Sequence, residues 1–128
     1  DIYMPDIKFA DASVSKRLAE AEDYFDRCKE SVKEMHRQVG DLEIVGGIAK
    51  RGLLIRHLVL PNGLSGTRSV MEFIAKKISP NTYINIMDQY YPCYKARDDK
   101  SLNRRITMEE YRSALKISKE AGITKDES

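Results

Sequence analysis

The sequence predicts an α/β domain built on parallel strands, and three observations predict it. A short, nearly continuous apolar run, Arg51–Pro61 (R-G-L-L-I-R-H-L-V-L-P), is bounded by turn residues, as a strand buried on both faces is. Strand-like and helix-like periods alternate along the chain as strand, helix, strand, helix, strand, helix. Right-handed crossovers turn that order into parallel neighbours. Polar residues gather toward the C-terminal ends of the strands, where such folds place their sites.

The chain starts inside an apparent strand, Asp1–Phe9, with Ile2, Met4, Asp6 and Lys8 on one face and Tyr3, Pro5, Ile7 and Phe9 on the other. An N-terminus in mid-strand reads as a fragment of a longer protein. Ala10–Ala21 is polar, with one short helical turn expected after Ser13 or Ser15. A firm helix follows. Asp23 is its candidate N-cap, Phe25, Cys28, Val32, Met35 and Val39 form its apolar stripe, and Gly40 ends it. His36 falls beside that stripe, at the surface or its boundary. Asp41–Lys50 reads as a long loop carrying a small hairpin, with a short strand at Leu42–Val45 and a turn at Gly46-Gly47.

The central strand is Leu53–Leu60, entered through Gly52. Alternation puts Leu54, Arg56, Leu58 and Leu60 on one face and Leu53, Ile55, His57 and Val59 on the other. A guanidinium keeps its proton, so Arg56 needs an anion: an internal carboxylate, or a carboxylate on a ligand. After the loop Pro61–Gly66, Ser65 or Thr67 caps a second helix with Val70, Phe73, Ile74 and Ile78 inward and Pro80 beyond its end. The third strand is Tyr83–Met87; Asn85, Met87 and Gln89 share its polar face. Cys93–Ile106 is a charged loop. Thr107–Glu110 (T-M-E-E) is a capping box, and the last helix runs to Ala121, with Gly122 and Ile123 as a Schellman end and a frayed tail after it.

Composition excludes several classes. With 128 residues there is room for one ordinary domain. Lys and Arg number 22 against 20 Asp and Glu, so no basic field favours nucleic acid. No apolar run is long enough to span a bilayer. The two cysteines, Cys28 and Cys93, are far apart, which is neither a disulfide framework nor a metal spacing. Free thiols in a reducing cytoplasm are the expectation. A third candidate feature is P-N-G-L-S-G-T, whose Gly63–Ser65 could offer backbone N–H groups to a phosphate. Its spacing matches no phosphate-loop pattern, and a plain lead-in to the second helix is the simpler reading.

Four blocks in order, D-I-Y-M-P-D-I-K-F, E-M-H-R-Q-V-G, R-G-L-L-I-R-H-L-V-L-P and N-I-M-D-Q-Y-Y-P, resemble the C-terminal half of a family of radical S-adenosylmethionine proteins, the pyruvate formate-lyase activating enzymes and related iron–sulfur proteins. The resemblance covers essentially the whole chain. It implies a partial, half-open TIM-like barrel of parallel strands, of which this chain would be the last three βα units. In that family a CxxxCxxC loop holds a 4Fe–4S cluster. The cluster binds S-adenosylmethionine and cleaves it to a 5′-deoxyadenosyl radical, which abstracts a hydrogen atom. Nothing resembling CxxxCxxC occurs here, so the resemblance implies that the cluster cysteines lie elsewhere in a full-length parent. This chain alone is then expected to hold no cofactor and to be inactive.

The resemblance also assigns positions. Asp6 and Lys8 match an acid-x-lysine element near the carboxylate of S-adenosylmethionine and an associated cation. Met4 matches the residue whose backbone carbonyl helps hold that cation. Arg56 matches an arginine that approaches the cofactor. Where activating enzymes carry a histidine after the sixth strand, this chain reads Met87-Asp88-Gln89-Tyr90, and Gln89 is the best substitute. That departure puts a glycyl-radical partner in doubt. The substrate, a protein or a small molecule, stays open. His57 points away from these residues and is read as structural. The alternative function is a non-catalytic α/β binding or scaffold domain. Half a barrel would leave an apolar face and a strand edge bare, so such a fragment is expected to associate as a homo-oligomer through either.

Overall fold

The computed structural model describes residues 1–8, 10, 15, 23–92 and 97–126. Phe9, most of the polar Ala10–Ala21 segment and Cys93 lie outside the described residues. The elements are β1 (Ile2–Tyr3), α1 (Tyr24–Val39), β2 (Glu43–Val45), β3 (Ile48–Leu58), α2 (Thr67–Phe73), β4 (Tyr83–Met87), α3 (Met108–Glu120) and β5 (Lys125–Asp126). A 3-10 turn, Pro61–Gly63, follows β3, and a π-type turn, Ile74–Ile78, extends α2.

The strands form one mixed sheet of five. β3 pairs in parallel with β1 and with β4, and β5 pairs in parallel with β4. β2 runs antiparallel to β3, with Ile44 opposite Ala49 and Val45 opposite Ile48. The parallel half-barrel of three βα units expected from the sequence is therefore not what forms. The correction has a local cause. Gly46 and Gly47 both take positive φ, 61° and 78°, and reverse the chain within two residues. A turn that short joins only antiparallel strands. The hairpin is thus part of the sheet, and β3 reaches back to Ile48 instead of starting after Gly52. The tail expected to fray adds the fifth strand.

The described helices pack on one face of the sheet. Leu53 and Ile55 of β3 and Ile84 and Ile86 of β4 meet Val32 of α1, Val70, Met71 and Phe73 of α2, and Ala114 of α3 in a single core. Phe25 and Phe73 close it edge to face at 5.9 Å. The other face carries Leu54, Arg56, Leu58, Asn85 and Met87, all half-buried. Two layers with helices on one side replace the two-sided cover of a parallel sheet.

The ends of the helices follow the chemistry of their residues in part. Thr107 and Glu110 make both bonds of the capping box, at 2.8 and 3.1 Å. Ile123 N–H donates to Ser118 O and Gly122 N–H to Lys119 O, which completes the Schellman end. Asp23 sits at the N-cap of α1 but spends its carboxylate on Arg27, 3.0 Å away. Asp41 ties α1 to the end of the π-type turn, accepting from Ser79 Oγ at 3.0 Å and lying 2.8 Å from His36 Nε2.

Gly52 sits where the connection after α1 crosses β3. Its φ is +117°, and a Cβ there would collide with the backbone of Asp41 and Leu42. Gly52→Ala should therefore cost at least about 2 kcal/mol, from strained backbone and displaced chain together. Urea unfolding measures it; a cost under about 0.5 kcal/mol would show that the crossing is loose.

Candidate functional site

The open face of the sheet carries a cleft of about 360 Å³ lined by Asp6, Lys8, Arg56, Leu58, Met87 and Gln89. Three strand segments meet there. The chain beyond β1 stays in register with β3: Arg56 N–H donates to Pro5 O and Ile7 N–H to Arg56 O, both at 2.9 Å, and this sets Asp6 beside Arg56. On the other side Arg56 stands opposite Asn85 and Leu58 opposite Met87. Alternation then turns Asp6, Lys8, Arg56, Leu58 and Met87 to one side. The structure thus brings Asp6, Lys8, Arg56 and Gln89 to one cleft. It does not bring Met4 there: Met4 is 58% exposed and does not line it.

The charges in the cleft are loosely held. Arg56 Nε lies 3.5 Å from Asp6 Oδ1, with the two side chains 42% and 40% exposed. Arg56 Nη2 donates to Met87 Sδ at 3.6 Å, a weak acceptor. An ion pair at that distance and exposure contributes about 0–1 kcal/mol. The Lys8 ammonium has no ion-pair partner among the described residues. Two cations thus stand over one carboxylate, beside the apolar wall of Leu58 and Met87. That donor set suits a carboxylate-bearing ligand with a short aliphatic stem.

Helix α1 backs the cleft in a way the sequence does not reveal. Lys8 N–H donates to Tyr24 Oη at 3.1 Å, Tyr24 O–H to Asp6 O at 3.4 Å, and Cys28 S–H to Asp6 O at 3.7 Å. These bonds go to backbone, so no side-chain period announces them; the only trace is the four-residue spacing of Tyr24 and Cys28 on one helix face. Burial pushes the Cys28 thiol up from its ordinary value, which keeps it protonated and unreactive.

The glycine-rich stretch Gly63–Ser65 lines a different groove, about 450 Å³, between the loop before α2 and α3. Glu109 and Glu110 line it too, the wrong sign for phosphate. Glu110 is held by Arg104 at 2.8 Å and by Asn62 N–H at 2.7 Å, and the guanidinium beside it, first, lowers its carboxyl to about 2. It is a tie between loop and helix. Among the described residues, no three His, Cys, Asp or Glu side chains converge as a metal site. No helix among them is long and apolar enough to cross a membrane.

The fold and site define a two-layer α/β domain with a cationic cleft at the strand ends of its open face. No family model matches the chain, and no solved structure matches it. An uncharacterized protein of Methanocaldococcus jannaschii is 36% identical over 124 residues. The match covers 96% of this chain but 32% of that protein, so the chain spans about a third of the length of the curated relative it matches.

His57 faces the core, fully buried, on the opposite side of β3 from Arg56. The Ile7 carbonyl, 2.7 Å from Nδ1, can only accept, so Nδ1 carries the proton. Neutral Nε2 then accepts from Thr67 Oγ1 at 3.0 Å, and Ser65 Oγ lies 3.3 Å further on. Thr67, expected as a cap, is spent on this network instead; Gly66 takes the cap position. Burial pushes the imidazole below its ordinary 6.5. The folded state therefore binds fewer protons than the unfolded chain once the pH falls through about 6.5. Stability contributed by neutral His57 is complete above that pH and declines below it, until the folded imidazole itself protonates. Nitrogen NMR at pH 6.5, where a free histidine is half charged, should show His57 mostly neutral with its proton on Nδ1. A half-protonated His57 at that pH would contradict the network.

Proposed function

We propose that this chain is the C-terminal portion of a radical S-adenosylmethionine iron–sulfur enzyme, and that its cleft holds the amino-acid end of S-adenosylmethionine. The observation that carries this reading is the convergence of Arg56, Lys8 and Asp6 on one cleft, with a loose internal ion pair and an ammonium that has no ion-pair partner among the described residues. Arg56 and Lys8 neutralise and orient the carboxylate, Asp6 accepts from the ammonium, Gln89 offers one amide, and Leu58 with Met87 packs the aliphatic stem. S-adenosylmethionine, when bound, supplies the radical chemistry of hydrogen-atom abstraction that the family resemblance implies. The iron–sulfur cluster does not fit these residues. The chain has two cysteines, and Cys28 is turned to the Asp6 carbonyl. In this reading the cluster ligands come from chain beyond these 128 residues, in a reducing cytoplasm. A glycyl-radical enzyme is one substrate class of such parents.

A second reading, a non-catalytic binding domain, uses the same donor set of Arg56, Lys8 and Asp6 to hold a carboxylate and needs no cluster. Iron and sulfide analysis of the anaerobically purified full-length protein separates the two.

The direct test is calorimetry of that full-length protein with S-adenosylmethionine. Charge-assisted hydrogen bonds contribute about 1.5–3 kcal/mol, so Arg56→Ala should weaken binding about 10- to 100-fold. Lys33→Ala, on the solvent side of α1, should leave affinity unchanged. No binding by the wild type, or normal binding by Arg56→Ala, would overturn the reading.

A further inference from the structure

The backbone around Ile7 shows how the cleft is held open. Ile7 directs its own N–H and C=O to β3, the first to Arg56 O and the second to His57 Nδ1. Alternation of a strand then sends the C=O of Asp6 and the N–H of Lys8 to the opposite, outer edge. In a parallel sheet a neighbouring strand would accept from the second and donate to the first. Here one side-chain atom does both: Tyr24 Oη accepts from Lys8 N–H and donates to Asp6 O. Its ring is fixed in a small second core with Leu60, Leu102 and Leu58, and Leu58 is itself a wall of the cleft.

We propose that Tyr24 is a positioning residue for the cleft: its hydroxyl takes the place of an adjacent strand and so fixes the two backbone units that carry Asp6 and Lys8. The ligand part of this inference rests on the S-adenosylmethionine reading. Burial raises the Tyr24 hydroxyl to about 12, so it keeps the proton it donates to Asp6. Cys28, on the next turn of α1, adds a weaker second bond to the same carbonyl. Tyr24 touches no ligand in this arrangement. It acts only through the residues that meet the amino-acid end.

That indirect route makes a specific readout. In the full-length protein, Tyr24→Phe keeps the ring and removes the hydroxyl. It should speed exchange of the Lys8 amide and weaken S-adenosylmethionine binding about three- to tenfold. Binding of methylthioadenosine, which lacks the amino-acid end, should not change. Tyr3→Phe removes a comparable hydroxyl bond, the 2.8 Å bond to Gln38 Oε1, between two residues that do not line the cleft. It should change neither affinity. If the wild type binds no S-adenosylmethionine, the functional reading fails and the ligand part with it. If the wild type binds and Tyr24→Phe loses both ligands equally, or loses neither, the positioning role alone is overturned.

Discussion

Two backbone hydrogen bonds, Arg56 N–H to Pro5 O and Ile7 N–H to Arg56 O, set everything else in place. They lock the chain beyond β1 to the middle of β3 at one register. On one face that register puts Asp6 beside Arg56. On the other it brings the Ile7 carbonyl to His57, whose far nitrogen reaches Thr67 at the start of α2. A slip of one residue would exchange the faces of that segment and send Asp6 toward the core, where an unpaired carboxylate is very costly, because β3 is held in its own register by β4. The charged cleft and the apolar core are therefore two consequences of the same pairing.

How much of this was legible in the sequence follows from what periodicity can report. The stripe of Phe25, Cys28, Val32, Met35 and Val39, the strand Tyr83–Met87 and the capping box at Thr107 are local, and the structure has them. The two faces of the central strand also follow from alternation alone. Alternation says nothing about direction, however. The hairpin at Gly46-Gly47 was visible, but its membership in the sheet depends on a pairing partner that no local pattern names. Lys125–Asp126 is short and charged and becomes a strand only because β4 offers it an edge.

The site divides the same way. Asp6, Lys8, Arg56 and Gln89 shared faces and strand ends in the sequence, so their meeting in one cleft needed only the correct neighbours. Met4 shares their face by alternation, yet it lies outside the cleft. Tyr24 and Cys28 were out of reach, because side chains that bond to backbone impose no pattern on the residues they hold. Thr67 misled for a related reason: a hydroxyl at the start of an apolar helix serves a buried imidazole as well as it serves a helix end.

The central claim is that Arg56 is poised for a ligand and is not satisfied by Asp6. A double-mutant cycle on Arg56→Ala and Asp6→Ala, read by urea unfolding, tests it most directly. The account predicts a coupling under about 1 kcal/mol, as for an exposed pair. A coupling of about 3 kcal/mol or more would mark a structural salt bridge and contradict it.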